Sequence, residues 1–287
     1  MTFLNQQQLR AYEEQGYLLV HDLLPEQDLA PVRQVIADAV DRVAQQLFAA
    51  DKIQDLHEDA PFSQRLTEIY RGLERESMSW NREVFSQAVY DLCTHPALLD
   101  MAEALLGSSD ITMNGDYWVR PKLPAEQLTT LPWHQDSGYY GAQTEPLHIL
   151  SLWIPLVDVD AENGCMQFIP ESHKWGLLST AREGHHLVPI EDVETRGQVV
   201  TLPMKVGDAV AFRNLVFHRS LMNNSDGIRW SIDLRYSATG TPLDWLSEMG
   251  LHGFVARSQR HPETVDSWET WQARRRTWER DQVLGMP

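Results

Sequence analysis

The sequence predicts a mainly β fold with flanking helices, a jelly-roll barrel, on three observations. Helical periodicity is confined to residues 1–107 and to a C-terminal stretch. Between them lie seven short extended runs, too closely spaced to hold the crossover helices of a parallel sheet. Asn163-Gly164 joins two of these runs as a hairpin signal, and Val206-Gly207-Asp208 opens another.

Taken in order, the chain starts with a short helix from Asn5 to about Gln15, stopped by Gly16, and an apolar strand Tyr17-Leu18-Leu19-Val20. A second helix begins near Pro25-Glu26-Gln27. Leu29, Val32, Ile36, Ala39, Val40 and Val43 recur on one face of it. Residues 48–82 show little periodicity and read as loops or short helices. Two more helices are expected over Glu83–Thr94 and Pro96–Leu106, the latter ended by Gly107. The extended runs are Ile111–Val119, Leu147–Leu156, Cys165–Pro170, Gln198–Pro203, Asp208–Arg213, Val216–Ser220 and Arg229–Tyr236. Beyond Pro242 a loop leads to a Trp- and Arg-rich helix over Ser267–Asp281. One domain over 1–287 is expected, with the jelly-roll core at 108–240 and residues 241–287 as loop and helix.

A chain of 287 residues with 43% hydrophobic and 23% charged residues can bury a sizeable core. Its net charge of -17 argues against nucleic acid and anionic membrane surfaces as partners, because their phosphates would be repelled. A small-molecule substrate is expected instead. Cys93 and Cys165 are too few for a disulfide scaffold, and no signal-like or membrane-length apolar run is found, so a cytoplasmic location is expected.

The chemistry centres on Trp133-His134-Gln135-Asp136, where a strand would point an imidazole and a carboxylate the same way. With 11 His and 41 acidic residues, about 1.6 His-x-Asp/Glu spacings arise by chance. The chain has three. His57-Glu58-Asp59 lies in a polar stretch without alternation, and the Pro in His261-Pro262-Glu263 disfavours a central strand. That leaves His134 and Asp136, with His218 on a later strand as the best candidate for a second imidazole. Two His and one carboxylate on one face of a metal is the ligand set of non-haem Fe(II) oxygenases, which leave other positions open.

The chain resembles the phytanoyl-CoA dioxygenase family of Fe(II)/2-oxoglutarate oxygenases, built on a double-stranded β-helix. The resemblance rests on Tyr12 to Leu18, Leu23-Leu24-Pro25, Trp133 to Asp136, Trp153 to Leu156, Asn163 to Met166, Pro170 to His173, Gly207-Asp208, and His218 through Arg229. These blocks fall in family order. The resemblance implies His134, Asp136 and His218 as iron ligands, and Arg229, eleven positions after His218, as the partner of the distal carboxylate of 2-oxoglutarate. Ser220 matches a hydroxyl that assists that carboxylate, and Trp153 an aromatic wall. His173 reads as structural.

The cofactors implied are Fe(II) and 2-oxoglutarate, with O2 as co-substrate. The reaction implied is hydroxylation of an unactivated C–H bond of a small molecule, a secondary metabolite or lipid-like compound, with release of succinate and CO2. Asp136 fills the place that chloride takes in halogenating relatives, which argues for hydroxylation. The rival reading is a non-catalytic metal- or small-molecule-binding jelly roll, which would not need Arg229 at that offset. Tyr139, Tyr140 and Trp175 are the candidate substrate residues. Residues 137–147, with parts of 48–82 and 172–196, are expected to cover the site.

Overall fold

The computed structural model describes residues 3–75 and 80–284, and side chains up to 277. Helix α1 (Gln6–Gln15) carries a reciprocal cap between Asn5 and Gln8 and ends on Gly16 in the left-handed region. Strand β1 (Tyr17–Val20) leads to α2 (Glu26–Ala49), which buries Leu29, Val32, Ile36, Ala39, Val40 and Ala44 along one stripe. Short helices α3 (Arg65–Ile69) and α4 (Gln87–Cys93) precede α5 (Pro96–Leu106), which starts on Pro and ends at Gly107 as its sequence predicts.

The extended half runs β2 (Asp110–Met113), β3 (Trp118–Lys122), the five-residue α6 (Asp136–Tyr140), β4 (Leu150–Pro155), β5 (Met166–Phe168), β6 (Thr180–Glu183) and β7 (His186–Pro189). It continues with β8 (Val200–Leu202), β9 (Ala209–Arg213), β10 (His218–Ser220), β11 (Arg229–Ala238) and β12 (Phe254–Ser258), and α7 (Trp268–Leu284) closes it. No described helix is long and apolar enough to cross a membrane.

The larger sheet has the order β1-β9-β4-β11-β2-β12, with β3 also paired to β11, and every pairing is antiparallel. A smaller sheet, β10-β5-β8, lies against it. Phe168 of β5 stacks on Tyr17 of β1 at 4.9 Å and meets Phe212 of β9 edge-on at 5.3 Å. A lone bridge between His134 and His218, with both backbone hydrogen bonds at 3.1 Å, ties the segment before α6 to the smaller sheet.

Strand β11 places the site. Trp230, Ile232, Leu234 and Tyr236 are buried on its helix side, where Trp230 meets Phe62 and Trp80 and the Tyr236 hydroxyl donates to the Cys93 carbonyl. Arg229, Ser231, Asp233 and Arg235 alternate with them and point the other way, equally buried. The strand is therefore covered on both faces, one apolar and one polar.

Several expectations need correcting. Ile111–Val119 is two strands, broken where Gly115 takes a positive φ. The main sheet reaches beyond 108–240 at both ends, since β1 and β12 belong to it. The loops after Pro170 and Pro242 hold β6, β7 and β12, short strands with too little alternation to register. Asp136 is not on a strand: Gln135 is extended, and Asp136 opens α6.

Candidate metal centre and its surroundings

His218 sits on β10, and the bridge to His134 brings the two imidazoles to 4.1 Å between ring centres. Asp136 joins them through the turn into α6. That turn is clamped by buried Asn214, whose amide donates to Ser137 Oγ (2.7 Å) and to the Thr144 carbonyl (3.0 Å), while its carbonyl accepts from Ile149 N–H (3.1 Å). One ligand atom from each of His134, Asp136 and His218 lies within 4.8 Å of the others, and all three residues are buried. Asp136 Oδ1 is 3.9 Å from His134 Nε2 and 3.7 Å from His218 Nε2.

The protonation pattern suits a cation. His134 Nδ1 donates to the Pro132 carbonyl at 2.8 Å and His218 Nδ1 to the Val216 carbonyl at 3.0 Å. Each neutral ring then turns its Nε2 lone pair toward Asp136. Burial, with His218 beside it, pushes the His134 imidazole down to about 3, and burial lowers His218 against the pull of Asp136. Burial alone would raise the Asp136 carboxyl. Arg235, the two imidazoles and the Ser151 hydroxyl outweigh it and hold the group well below the usual carboxylate range. Two imidazole lone pairs and a carboxylate thus converge in a dry pocket, and this donor set fits divalent iron.

Behind Asp136 stands a layer of paired groups. Ser151 Oγ donates to Asp136 Oδ2 at 2.7 Å, and Arg235 Nε approaches the same oxygen at 3.3 Å and Asp116 Oδ2 at 3.4 Å. Tyr140 donates its hydroxyl to Asp116. Arg120 Nε donates to Asp233 at 2.9 Å, and its guanidinium lies 4.6 Å over the Trp118 ring.

Arg229 is different. It is 1% exposed, donates from Nη1 to Ser231 Oγ at 2.7 Å and lies 5.3 Å over the Trp153 ring. Among the described residues no carboxylate lies within ion-pair distance of it, and its Nε has no hydrogen-bond partner. Burial pulls it down to about 10, with Asp233 acting against the shift. A buried guanidinium without an anion is costly, so the site fits a carboxylate ligand such as 2-oxoglutarate. Ser220, 3% exposed, lies nearby, and its Oγ accepts from Lys122 Nζ at 2.8 Å.

The aromatic candidates divide. Tyr139 is exposed, meets the His134 ring edge-on at 5.6 Å and accepts from Leu187 N–H of the β6–β7 hairpin at 3.2 Å. Tyr140 turns away to Asp116 and packs on Trp245 at 6.1 Å, so its hydroxyl serves the layer behind Asp136. Trp175 packs on Phe217 at 6.0 Å and under Arg196 at 4.4 Å, and the structure does not bring it to the triad. Trp175 packs with Phe217, just before β10, while His218 turns to the triad. Of the expected cover, Tyr139 meets His134 and the hairpin within 172–196 bonds to Tyr139, whereas residues 76–79 lie outside the described residues. His173 lies off the triad, at 3.2 Å from the Glu13 carbonyl. Sequence reasoning missed Lys122, Arg120, Asp116, Ser151 and Asn214, and gave Arg235 no part in holding Asp136. The signal for some was present, since every second residue of Arg229 to Arg235 is polar in a run whose other members are large and apolar.

Comparison with known proteins bears on the same residues. The phytanoyl-CoA dioxygenase (PhyH) family matches residues 12–231, a span that holds all three triad members and Arg229. The chain belongs to the phytanoyl-CoA dioxygenase family. It is an oxidoreductase of the iron- and 2-oxoglutarate-dependent kind, with O2 as co-substrate. A probable phytanoyl-CoA dioxygenase of Caenorhabditis elegans is 24% identical over 300 residues, covering 96% of this chain and 93% of the relative. The 1-deoxypentalenic acid 11-beta-hydroxylase of Streptomyces exfoliatus is 30% identical over 159 residues, covering 50% of this chain and 55% of that enzyme. Among solved structures, the epimerase SnoN, in complex with Fe3+, alpha-ketoglutarate and nogalamycin RO, shares the fold. Its TM-score is 0.56 at 23% identity, over 83% of this chain and 86% of that one.

Proposed function

We propose that this family member hydroxylates an unactivated C–H bond of a small molecule, a secondary metabolite or lipid-like compound, rather than halogenating it. In this reading His134, Asp136 and His218 hold Fe(II), and Arg229, with Ser220 and Trp153, seats 2-oxoglutarate. The two facing sheets are the halves of a double-stranded β-helix, and the chain is one catalytic domain. When bound, iron, 2-oxoglutarate and O2 supply an oxidant strong enough for such a bond, and succinate and CO2 leave.

The observation that carries this reading is the pairing of two incomplete sites: a buried His-Asp-His set with both Nε2 atoms turned inward, and a buried Arg229 with no acid at ion-pair distance among the described residues. The carboxylate of Asp136 takes the place a halide would need. Arg235 and Ser151 hold that carboxylate in position, and Tyr139 with the β6–β7 hairpin walls the approach to His134. The Streptomyces relative, named as a hydroxylase of 1-deoxypentalenic acid, supports a small free acid or related metabolite as substrate. The epimerase with the same fold marks the competing outcome.

The test incubates purified protein with Fe(II), ascorbate and 2-oxoglutarate and a panel of terpenoid acids, free fatty acids and their CoA thioesters. Succinate is measured together with a product heavier by one oxygen atom. Succinate with an isomerised or ring-closed product would replace hydroxylation by another oxidative outcome. No succinate with any compound, and no iron-dependent binding of 2-oxoglutarate, would leave a metal-binding jelly roll.

A further inference from the structure

Lys122 is fully buried at the end of β3, directly across from Arg229 in the β3–β11 pairing. Among the described residues neither cation has a carboxylate at ion-pair distance. Lys122 Nζ donates to Ser220 Oγ at 2.8 Å and to the Leu221 carbonyl. Its stem runs beside Gly164, where φ is +92° and a Cβ would lie 2.6 Å from the Leu221 carbonyl oxygen and 3.0 Å from Lys122 Cδ. The Asn163-Gly164 turn, which joins β4 and β5 of different sheets rather than closing the hairpin its sequence predicts, is thus pressed against this lysine and the Leu221 carbonyl. A buried lysine set beside a buried guanidinium is an arrangement folding alone does not favour.

Ser220 shows what the pair is aimed at. Its Oγ accepts from Lys122 Nζ and from Leu131 N–H at 3.2 Å, so both lone pairs are taken and the hydroxyl hydrogen is free to donate. Its acceptor within the chain is the Thr129 carbonyl at 3.4 Å, a long contact. We propose that Lys122 is a second cation of the 2-oxoglutarate seat: its ammonium and the Arg229 guanidinium share the distal carboxylate, and Lys122 orients Ser220 so that its hydroxyl donates to the same group. This rests on the function proposed above and assigns a residue to that site.

The charges facing Lys122 make the arrangement sensitive to protons. Burial, then Arg229 and Arg120, push the ammonium down to about 5, against the weaker pull of Glu126 and Cys165. At neutral pH the ligand-free lysine is therefore largely uncharged. A carboxylate arriving beside it favours the charged form, so binding draws in a proton and weakens as pH rises.

The experiment is anaerobic calorimetry of 2-oxoglutarate binding to the iron-loaded protein at neutral pH, in two buffers of different ionisation enthalpy. The parent is expected to take up about one proton per ligand bound. Lys122→Met, which keeps the stem, is expected to bind 2-oxoglutarate about tenfold or more weakly, take up no proton and hold iron as the parent does. A lysine that only pegs Leu221 would lower thermal stability and leave affinity and proton count at parent values, which overturns the proposal. If Lys122→Met does not fold, the parent decides: uptake of a proton supports the seat, and none overturns it. A parent that binds 2-oxoglutarate while Lys122→Met binds it equally well sinks this inference alone. A parent that does not bind it sinks the proposed function too.

Discussion

At the metal end of the buried polar face, Asp136 is held by Arg235 and Ser151, Arg235 is shared with Asp116, and both imidazoles have their Nδ1 protons placed on carbonyls. At the other end Arg229 and Lys122 face each other across two strands with only neutral groups to bond. The first end has spare lone pairs, and the second has the Arg229 charge beside a lysine that can take up a proton. The residues of the first end suit a divalent cation and those of the second a dicarboxylate. Filling both repays the desolvation that each end carries alone.

The largest break in this comparison comes from the triad. His134→Ala, Asp136→Ala and His218→Ala should each lower iron affinity by more than about 100-fold, beyond the 10–100-fold usual for an outer hydrogen-bonding partner. Metal content after gel filtration, with circular dichroism as the check on folding, measures this. Full iron loading in any variant removes that residue from the ligand set. Next in size is Arg229→Leu, which should weaken 2-oxoglutarate binding by about 2 to 5 kcal/mol, as expected for a buried charge-assisted contact. Iron binding should stay at the parent level. Unchanged 2-oxoglutarate affinity would leave the carboxylate to Lys122 alone, because Arg235 is committed to Asp136 and Asp116, and Arg219 to Gln167 and Glu194.

Ser151→Ala sharpens the contrast from the metal side. It removes one of the groups holding Asp136 and should cost about 10-fold in iron affinity, at the low end for such partners, while 2-oxoglutarate affinity at saturating iron is unchanged. A fall in both would mean the two ends are not separable. The smallest effect belongs to the rim. Tyr139→Ala loses an aromatic contact worth about 1 kcal/mol, so it should change neither affinity, and product formed per succinate should fall by about fivefold or less. A ratio equal to the parent's makes residues 137–147 a plain connection.

How far the sequence reveals these ends differs between them. His134, Asp136 and His218 are legible because context removes the other two His-x-acid spacings and because their order matches a family. Their backbone setting was not: a two-residue spacing fits a strand, but here the His134 bridge and the first turn of α6 achieve the convergence, with Asn214 clamping the turn. Arg229 is legible only through the family match, because a polar residue at every second position of a strand reads as a solvated face. Burial of both faces of β11 is a tertiary fact, set by the second sheet and the helix layer. Lys122 was invisible for the same reason. The packing of Trp175 on Phe217 was not legible either, since a tryptophan in a turn near the motifs carries no sign of which side of β10 it packs on.

The most direct test of the link between the two ends is a calorimetric titration of 2-oxoglutarate into the protein with and without Fe(II), under nitrogen. With iron present, saturable binding of one 2-oxoglutarate per chain is expected, and without iron the affinity should fall by at least about tenfold, a coupling of roughly 1.4 kcal/mol or more. Equal affinity in the two titrations would contradict it, because the carboxylate seat would then be complete without the metal.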